Sequence, residues 1–405
     1  MTRPMALIEP HADQGGGHHC RTLLALAHAH GNALIVAPPL TPASVREQLA
    51  ATGAELATGP RGLAAVLLKS AAKLVAVAEL VTGAVFVARR WPDRLRRTPH
   101  QFALLASALR EAAAVRTARR LRLDPTVVIL TAVPGLHALV GLLGGGHLRF
   151  VHEITTTEDL PLRLLGNLAQ RGRHRVLVLA PTRAVQGQLS ERFPSLRVQV
   201  RPYAVASPAD RITTEERAKA RASLGLADRH TAIALVGGWW PAKDIATVHR
   251  ALVQLTRTIH LLITGHPLDA QRLAQWSALP QVQVHLEQVP ASDTAVRDLY
   301  AAADAALVAR HPGIGKESGL VTDALRFGVP LICSDHHRDL TRKLIGQPWT
   351  RLFPAGDATQ LADILDRLAD QRLPAPAPGT AAVLGIPTPS AQIAFLINCQ
   401  PGEAR

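Results

Sequence analysis

The sequence has few cysteines and few aromatic residues. These shortages argue against a disulfide-stabilised protein and against a nucleic-acid-binding protein. Three cysteines occur in 405 residues, far apart at Cys20, Cys333 and Cys399. An odd and sparse set argues against a disulfide framework and has no metal-ligand spacing, so we expect a reducing compartment. Phe, Trp and Tyr together make up 3% of the chain, too few for a stacking platform, and no nucleic-acid recognition motif is present, so no nucleic-acid partner is expected.

The sequence also lacks a secretory pattern and an apolar run long enough to span a bilayer. The apolar stretch among the first seven residues is short and soon interrupted. The most apolar segment, Leu63–Ala88, contains Lys69, Lys73 and Glu79, and these charges would lie inside any span. We therefore expect a cytoplasmic protein.

Two interpretations of Leu63–Ala88 stay open. Residues 89–97, which follow it, contain five arginines. A helix inserted shallowly into an anionic membrane face would place such residues on the headgroups. A core helix followed by a solvated basic loop has the same pattern. The first interpretation predicts a peripheral location on the inner face of the membrane.

The net charge of +14 indicates an acidic partner, or else an excess of surface arginine with no special role. Besides nucleic acid, the acidic partners to consider are an anionic membrane surface and the phosphates of a substrate.

Short apolar runs alternate with helical patterns along the whole chain. With a hydrophobic fraction of 47% and few aromatics, the core must be built from Ala, Leu and Val, which suits helices packed on parallel strands. The predicted strands are Met5–Ile8, Ala33–Val36, Val127–Leu130, Leu148–Val151, Val176–Leu179, Thr231–Val236, Ile259–Ile263, Val282–Leu286, Ala305–Val308 and Pro330–Cys333, of which the last two close the second sheet. Buried parallel strands of this kind predict Rossmann-like domains.

The length and the change in composition near residue 204 predict an α/β protein of two Rossmann-like domains facing across a cleft. We assign residues 1–204 to the first domain, 205–228 to a linker and 229–375 to the second domain. Residues 376–405 form a proline-rich tether and a terminal helix, for which crossing back to the first domain is one option.

A glycine-bearing loop before a predicted helix is the first candidate site. Ser318 and Gly319 begin this helix, and the free N–H groups at a helix start favour anions. Lys316 adds a cation to the loop, and Asp323 lies just over one turn into the helix, where a carboxylate can accept hydrogen bonds from ribose hydroxyls. An ordinary capped helix start would have the same residues.

A second candidate site follows the strand Thr231–Val236. The strand ends in Gly237 and Gly238, and Lys243 comes shortly before the next helix. Lysine is a flexible point charge suited to a diphosphate, although a surface lysine in this position needs no ligand.

These residues resemble a known family. In order and spacing, several motifs are similar to those of the retaining, GT-B fold glycosyltransferases of the group 1 superfamily. The motifs are Arg201–Val205, Leu224–Leu226, Val236–Gly237 with Pro241 and Lys243, Leu299–Asp304, and Asp323–Ala324 with Gly328–Pro330.

The resemblance implies which residues contact a nucleotide-diphosphate sugar. Residues 229–375 would form the donor domain and residues 1–204 the acceptor side. Lys243 would hold the diphosphate, Asp323 would grip the ribose in place of the usual glutamate, and Glu317 would contact the sugar hydroxyls. The donor-binding set implied is Gly16, Gly17, Gly237, Gly238, Lys243, Arg310, Lys316, Ser318, Gly319, Leu320 and Asp323. His152 resembles a family histidine near the transferred sugar and, with Glu317, is a candidate catalytic residue.

One departure from the family affects the diphosphate site. The arginine that normally precedes the lysine by five residues is Gly238 here. Arg310, His311 and Lys316 are the candidates to replace it.

The activity implied is sugar transfer to a hydroxyl, with retention. It implies no metal and no cofactor, because the nucleotide-sugar is a substrate. The acceptor would be a glycan, a polysaccharide or a lipid-linked sugar. The departure at Gly238 leaves open a catalytically silent, membrane-associated binding protein, and a GT-B nucleotide-sugar epimerase would share the donor site.

Overall fold

A sheet of seven parallel strands forms the centre of the first unit, which comprises residues 1–205 and 389–405. The computed structural model describes residues 3–14, 17–88, 98–154, 160–287 and 292–399. Up to residue 205, the elements are β1 Met5–Ile8, α1 Gly17–His30, β2 Leu34–Val36, α2 Ala43–Ala51, β3 Glu55–Ala57, α3 Leu63–Ala88, α4 Thr98–Leu121, β4 Thr126–Ile129, α5 His137–Gly144, β5 His147–Phe150, α6 Leu160–Leu168, β6 Val176–Ala180, α7 Arg183–Arg192 and β7 Arg197–Val200.

The five inner strands of the first sheet are buried on both faces. Their order is β3-β2-β1-β4-β5-β6-β7, and every pairing is parallel. In β1, Ala6 and Ile8 face one apolar core while Met5 and Leu7 face the other, because successive side chains of a strand point to opposite faces. Helices therefore cover both sides of the sheet, as predicted.

The second unit, residues 206–388, repeats this architecture with six parallel strands in the order β10-β9-β8-β11-β12-β13. Its elements are α8 Thr214–Ser223, β8 Thr231–Val236, α9 Ile245–Gln254, β9 Ile259–Thr264, α10 Ala270–Ser277, β10 Val282–Leu286, α11 Asp293–Ala302, β11 Ala305–Val308, α12 Gly319–Phe327, β12 Leu331–Ser334, α13 Arg338–Leu344, β13 Thr350–Phe353, α14 Ala358–Arg367 and α15 Thr380–Val383.

The last helix of the chain, α16 Pro389–Asn398, returns to the first unit, where it packs against α1. Its Ile393 and Leu396 are buried in the same core as Met5 and Leu7 of β1. The chain thus enters the second unit after residue 205 and leaves it before residue 389.

Strand order reverses once in each sheet. In the first sheet β1 has β2 on one side and β4 on the other, and in the second β8 lies between β9 and β11. Ligands of open α/β sheets bind at such switch points, beyond the carboxyl ends of the strands. The loops after β1 and β4, and after β8 and β11, are therefore where a site is expected in each unit.

The unit boundaries differ from the assigned domains at both ends of the second domain. Residues 206–228 contain α8, which packs on α11 of the second unit. Residues 376–388, assigned to the tether, also belong to the second unit.

The prediction that β12 is the last strand of the second sheet is wrong, because β13 pairs with it in register from Leu331↔Thr350. The helix predicted over Leu63–Ala88 is confirmed as α3. Within the residues that the model describes, no helix combines the length and the apolarity needed to cross a bilayer.

Candidate functional site

Lys243 lies over the glycine turn that ends β8. Its Nζ donates hydrogen bonds to the carbonyl oxygens of Val236 at 2.6 Å and Gly237 at 2.7 Å. Burial and, to a lesser extent, the neighbouring positive charge of Arg310 together lower the pKa of Lys243 to about 7. A negatively charged ligand at this ammonium group would offset both effects.

Arg310 is held beside Lys243 by the backbone. Residues 243 and 310 form an isolated antiparallel bridge, and the neighbouring Asp244 N–H donates to the carbonyl of Ala309 at 3.1 Å. Arg310 follows β11, its N–H donates to Ser334 Oγ at 3.0 Å, and the residue is 8% exposed. The two cations therefore meet at the switch point of the second sheet, between β8 and β11.

The glycine turn itself is shaped by close packing. Gly237 has φ +85°, and a Cβ there would lie 3.3 Å from Lys243 Nζ and 3.9 Å from Leu320 Cδ2. The turn thus brings Lys243 and the first turn of α12 together. A Cβ on Gly238 would lie 2.1 Å from the carbonyl oxygen of His266. Position 238 consequently has no room for a side chain, the arginine of the family included.

Helix α12 begins as the sequence predicts. Ser318 is its N-cap and accepts a hydrogen bond from the Val321 N–H, so Gly319 is the first helical residue. Lys316 and Glu317 lie half-buried on the loop before the cap. Asp323 lies just over one turn into α12 and is 6% exposed.

A cavity of about 720 Å³ occupies the corresponding edge of the first sheet. It lies where β1, β2 and β4 end, and α3 and α4 form part of its wall. Its polar lining includes Glu9, His19, Lys69, Arg110, Thr131 and His152.

Glu9 is fully buried at the end of β1. Burial raises the pKa of Glu9 to about 7, against the hydrogen bonds that its oxygens accept. The His11 N–H donates to Oε1 at 2.9 Å and the Thr131 hydroxyl donates to Oε2 at 2.9 Å. Thr131 Oγ1 also lies 3.1 Å from Nδ1 of His19. A carboxyl that titrates near neutrality is thus connected through one hydroxyl to an imidazole.

His152 belongs to a cluster of rings on the same cavity. Its Nε2 lies 3.1 Å from the carbonyl oxygen of Leu130. Its ring packs edge-to-face on Tyr203, with centroids 4.3 Å apart, and on His19, with centroids 5.1 Å apart. His152 therefore stands at the switch point of the first sheet, beside a second histidine.

A buried ion pair fixes the loop that follows β4. Arg149 and Glu111 are 0% and 4% exposed, and Arg149 Nη2 donates to Glu111 Oε2 at 2.8 Å. Glu111 Oε1 accepts the Val133 N–H, and the same Nη2 donates to the Val133 carbonyl at 2.9 Å. Both backbone groups of Val133 are thus bound, which holds this wall of the cavity in place.

The predicted residues fall into two groups by unit. Gly237, Lys243, Arg310 and Leu320 are brought together in the second unit. Gly17 begins α1 in the first unit, whereas Gly16 lies outside the described residues.

Sequence reasoning missed Glu9, His19, Thr131 and Lys69. One available signal was position, since Glu9 directly follows β1 and Thr131 comes two residues after β4. Lys69 gave no such signal, because it reaches the cavity from α3.

Comparison with known proteins gives one family and a set of similar folds. Residues 230–371 match the family model described as glycosyl transferases group 1. A comparison with curated protein sequences gives no match.

Three solved structures are similar over most of their length. A glycosyltransferase from Rickettsia africae ESF-5 has 12% identity and a TM-score of 0.58, covering 97% of this chain and 96% of that chain. HepE of Anabaena, in complex with UDP and glucose, has 16% identity and a TM-score of 0.57, covering 97% and 94%. The trehalose 6-phosphate synthase of Burkholderia multivorans has 13% identity and a TM-score of 0.56, covering 98% of both.

At these low identities the solved structures show that the chain shares their fold. The family model adds a match in sequence over one domain. The chain has the GT-B fold of two α/β units, each built on a sheet of parallel strands. Its residues 230–371 form a domain of the group 1 glycosyltransferases.

Proposed function

We propose that the chain is a glycosyltransferase that moves a sugar from a nucleotide-diphosphate donor to a hydroxyl acceptor with retention of configuration. The observation that carries the proposal is the pairing of Lys243 with Arg310 at the ends of β8 and β11. The pair lies beside Gly237, within the segment that matches the group 1 family. Two cations at a strand switch point suit a diphosphate, because each neutralises part of its charge.

Within this proposal, Lys243 and Arg310 hold the diphosphate. An ammonium group has three N–H donors, and Lys243 directs two of them to carbonyls, so the third is assigned to a phosphate oxygen. Arg310 takes the place of the arginine that Gly238 excludes. The N–H groups at the start of α12, from Gly319 and Leu320, bind the same anion with the help of the helix dipole.

The remaining donor contacts are assigned to the loop before α12 and to the helix itself. Asp323 accepts hydrogen bonds from the ribose, Glu317 from the sugar hydroxyls, and Lys316 supplies a further cation. These assignments follow the family pattern and are the part of the site that mutagenesis must test.

The cavity of the first unit is assigned to the acceptor, a glycan or a lipid-linked sugar. Its mixture of carboxyl, imidazole and hydroxyl groups suits a ligand rich in hydroxyls. His152 is assigned to the neighbourhood of the transferred sugar. Glu9 and Thr131 act through His19 and are positioning residues.

The chemistry requires stabilisation of a leaving diphosphate. The acceptor oxygen bonds to the anomeric carbon on the face from which the diphosphate departs, and its proton leaves with the diphosphate. Lys243 and Arg310 stabilise the charge that grows on the leaving group, which is the step that their proximity favours. No metal ion is required in this scheme, because the two side chains supply the positive charge.

The test is a thermal-shift screen of nucleoside diphosphates and their sugars. UDP and UDP-glucose are the first ligands to try, because HepE of Anabaena was crystallised with each. A ligand at one hundred times its Kd stabilises the native state by about 2.7 kcal/mol, which raises the melting temperature measurably. Lys243→Ala and Asp323→Ala should abolish this rise.

Lys219→Ala is the matched control, because Lys219 is exposed on α8 of the same unit. It should keep the full ligand-induced shift. A ligand that stabilises Lys243→Ala as much as the parent protein would contradict the assignment of the donor site. Product analysis with and without acceptors then separates transfer from epimerisation, and binding without turnover would indicate a silent binding protein.

A further inference from the structure

Helix α3 exposes an apolar face that one small polar residue, Ser70, interrupts. Six large aliphatic side chains are more than half exposed, and they recur at helical spacing along one side of the helix. We call this the apolar face of α3, and it consists of Leu63, Leu67, Leu74, Val77, Leu80 and Val81. From its first residue to its last, the face extends about 27 Å at 1.5 Å per residue. Soluble monomers rarely leave so many neighbouring aliphatic side chains in water without a binding role.

Folding of the first unit does not require this face. The side of α3 that packs on the protein carries small residues, and Ala65 and Ala72 are each 1% exposed. Leu68 packs against the core between them. The exposed leucines, among them Leu63 at 76% and Leu74 at 73%, could therefore be polar without loss of the core. Their apolar character requires another explanation.

Positive side chains lie beside the first half of the apolar face of α3. Lys73 is exposed on α3 and Arg61 is exposed just before the helix. The side chain of Arg120 comes within 3.7 Å of where a Cβ of Gly62 would lie, at the same end as Leu63. The whole chain has a net charge of +14. Aliphatic side chains flanked by lysine and arginine are typical of helices that lie in an anionic membrane interface.

We propose that the apolar face of α3 docks the first unit onto an anionic lipid bilayer. The leucines enter the boundary between headgroups and acyl chains, while Lys73 and Arg61 contact lipid phosphates. The helix lies in the interface and does not cross it, in keeping with the charges at Lys69, Lys73 and Glu79 within it. This inference does not depend on the enzymatic activity proposed above.

The docked helix also contributes to the cavity of the first unit. Lys69 of α3 lines that cavity, so one helix would contact both the membrane and the site assigned to the acceptor. If the proposed function holds, this arrangement favours an acceptor carried on a membrane lipid. That step rests on the proposed function, whereas membrane docking is measurable without any substrate.

The experiment is sedimentation of the full chain with lipid vesicles. Vesicles of equal parts phosphatidylglycerol and phosphatidylcholine should bind the protein, and binding should weaken in high salt and with phosphatidylcholine alone. The double variant Leu67→Glu, Leu74→Glu should lower the partition coefficient about tenfold or more. It removes apolar groups that would be buried in the bilayer, and it adds negative charge that the anionic lipid repels. Lys73→Gln should lower it about fivefold.

Leu123→Glu is the matched control, because Leu123 is 91% exposed in the same unit but lies outside α3. It should bind vesicles as the parent protein does, and thermal unfolding should show that every variant is folded. Equal binding by the double variant and the parent would overturn the proposal. The proposal would also be overturned if the parent protein does not bind vesicles and light scattering shows that it self-associates, with this self-association lost in the double variant.

Discussion

At the scale of single residues, both candidate sites contain a group whose pKa is displaced towards neutrality. Burial and Arg310 lower the pKa of Lys243 to about 7, and burial raises that of Glu9 to about 7. At neutral pH each of these two groups is therefore only partly ionised, and each lies at a strand switch point. Displaced pKa values of this kind cluster at functional sites.

Lys243 should make donor binding depend on pH. A diphosphate beside the ammonium group raises its pKa, so binding above pH 7 takes up a proton and weakens as the pH rises. We expect the Kd for a nucleotide sugar to increase between pH 7 and 9 by up to about tenfold per pH unit. Titration calorimetry in buffers of different ionisation enthalpy measures the proton uptake directly.

Lys243→Arg is the control for this effect, because arginine stays charged throughout the range. Whatever its affinity, its Kd should change little between pH 7 and 9. A parent protein whose Kd is equally flat would show that Lys243 is charged before the ligand arrives, or that it does not contact the ligand.

Glu9 should make the stability of the first unit fall as the pH rises. Its pKa is about 7 in the folded chain and near 4.5 when unfolded, so the folded state holds the proton more tightly. The contribution of this group to the free energy of unfolding therefore decreases by on the order of 3 kcal/mol between pH 4.5 and 7. Above pH 7 the contribution is constant. Glu9→Gln should remove that decrease, and urea unfolding at pH 5 and pH 8 measures it.

The comparison is the difference between Glu9→Gln and the parent at each pH. The variant should gain stability relative to the parent as the pH rises from 5 to 8. Glu191→Gln, at an exposed glutamate of α7, should show no such gain. A constant difference between Glu9→Gln and the parent at the two pH values would refute the prediction.

At the scale of elements, the sequence predicts buried strands well and edge strands poorly. The runs Met5–Ile8, Thr231–Val236 and Ala305–Val308 match the observed strands residue for residue, because a strand covered on both faces is continuously apolar. The edge strand β10, Val282–Leu286, is also predicted residue for residue, whereas the other three sheet edges are the missed strands β3, β7 and β13. They have three or four residues each, part of them exposed, so their apolar signal is too short.

The elements also explain which parts of the proposed donor site are predictable from the sequence. Lys243, Ser318 and Asp323 stand out from their places in the sequence pattern, next to a strand end or a helix start. The sequence offers Arg310, His311 and Lys316 as replacements for the family arginine. Only the pairing of the loop before α9 with the end of β11 shows that Arg310 lies beside Lys243. The cavity of the first unit depends on α3 and α4 packing over the sheet, which no local pattern encodes.

Restoring the family arginine at position 238 should damage the fold. A Cβ there would lie 2.1 Å from the His266 carbonyl oxygen and 2.8 Å from the Pro267 nitrogen, and both are backbone atoms that cannot move aside cheaply. Gly238→Arg and Gly238→Ala should each cost about 2 kcal/mol or more of unfolding free energy, since the clash begins at Cβ. Urea unfolding followed by tryptophan fluorescence measures the cost.

Gly187→Ala is the matched control, because a Cβ at Gly187 in α7 meets nothing within 4 Å. It should be neutral or stabilising by up to about 1 kcal/mol. A Gly238→Arg variant that is as stable as the parent and binds nucleotide more tightly would show that the loop can open for an arginine.

At the scale of the whole molecule, the chain is one unit inserted into another. Each unit has its own pair of apolar cores on the two faces of its own sheet. The first unit is completed only by α16, from the far end of the sequence. Residues near the C-terminus therefore determine the stability of a sheet whose strands all lie before residue 205.

Leu396→Ala should consequently destabilise the first unit and leave the second nearly unchanged. Leu396 is 0% exposed in the core that contains Met5 and Leu7, and truncating such a leucine costs about 2–5 kcal/mol. Four of the five tryptophans, Trp239, Trp240, Trp276 and Trp349, lie in the second unit. The urea midpoint followed by tryptophan fluorescence should therefore stay close to that of the parent protein. Far-ultraviolet circular dichroism should show an additional transition at a lower urea concentration. Leu365→Ala, at a fully buried leucine of α14, should move the fluorescence transition instead. If Leu396→Ala shifts both signals equally, the two units unfold as one, and the inserted unit does not have a stability of its own.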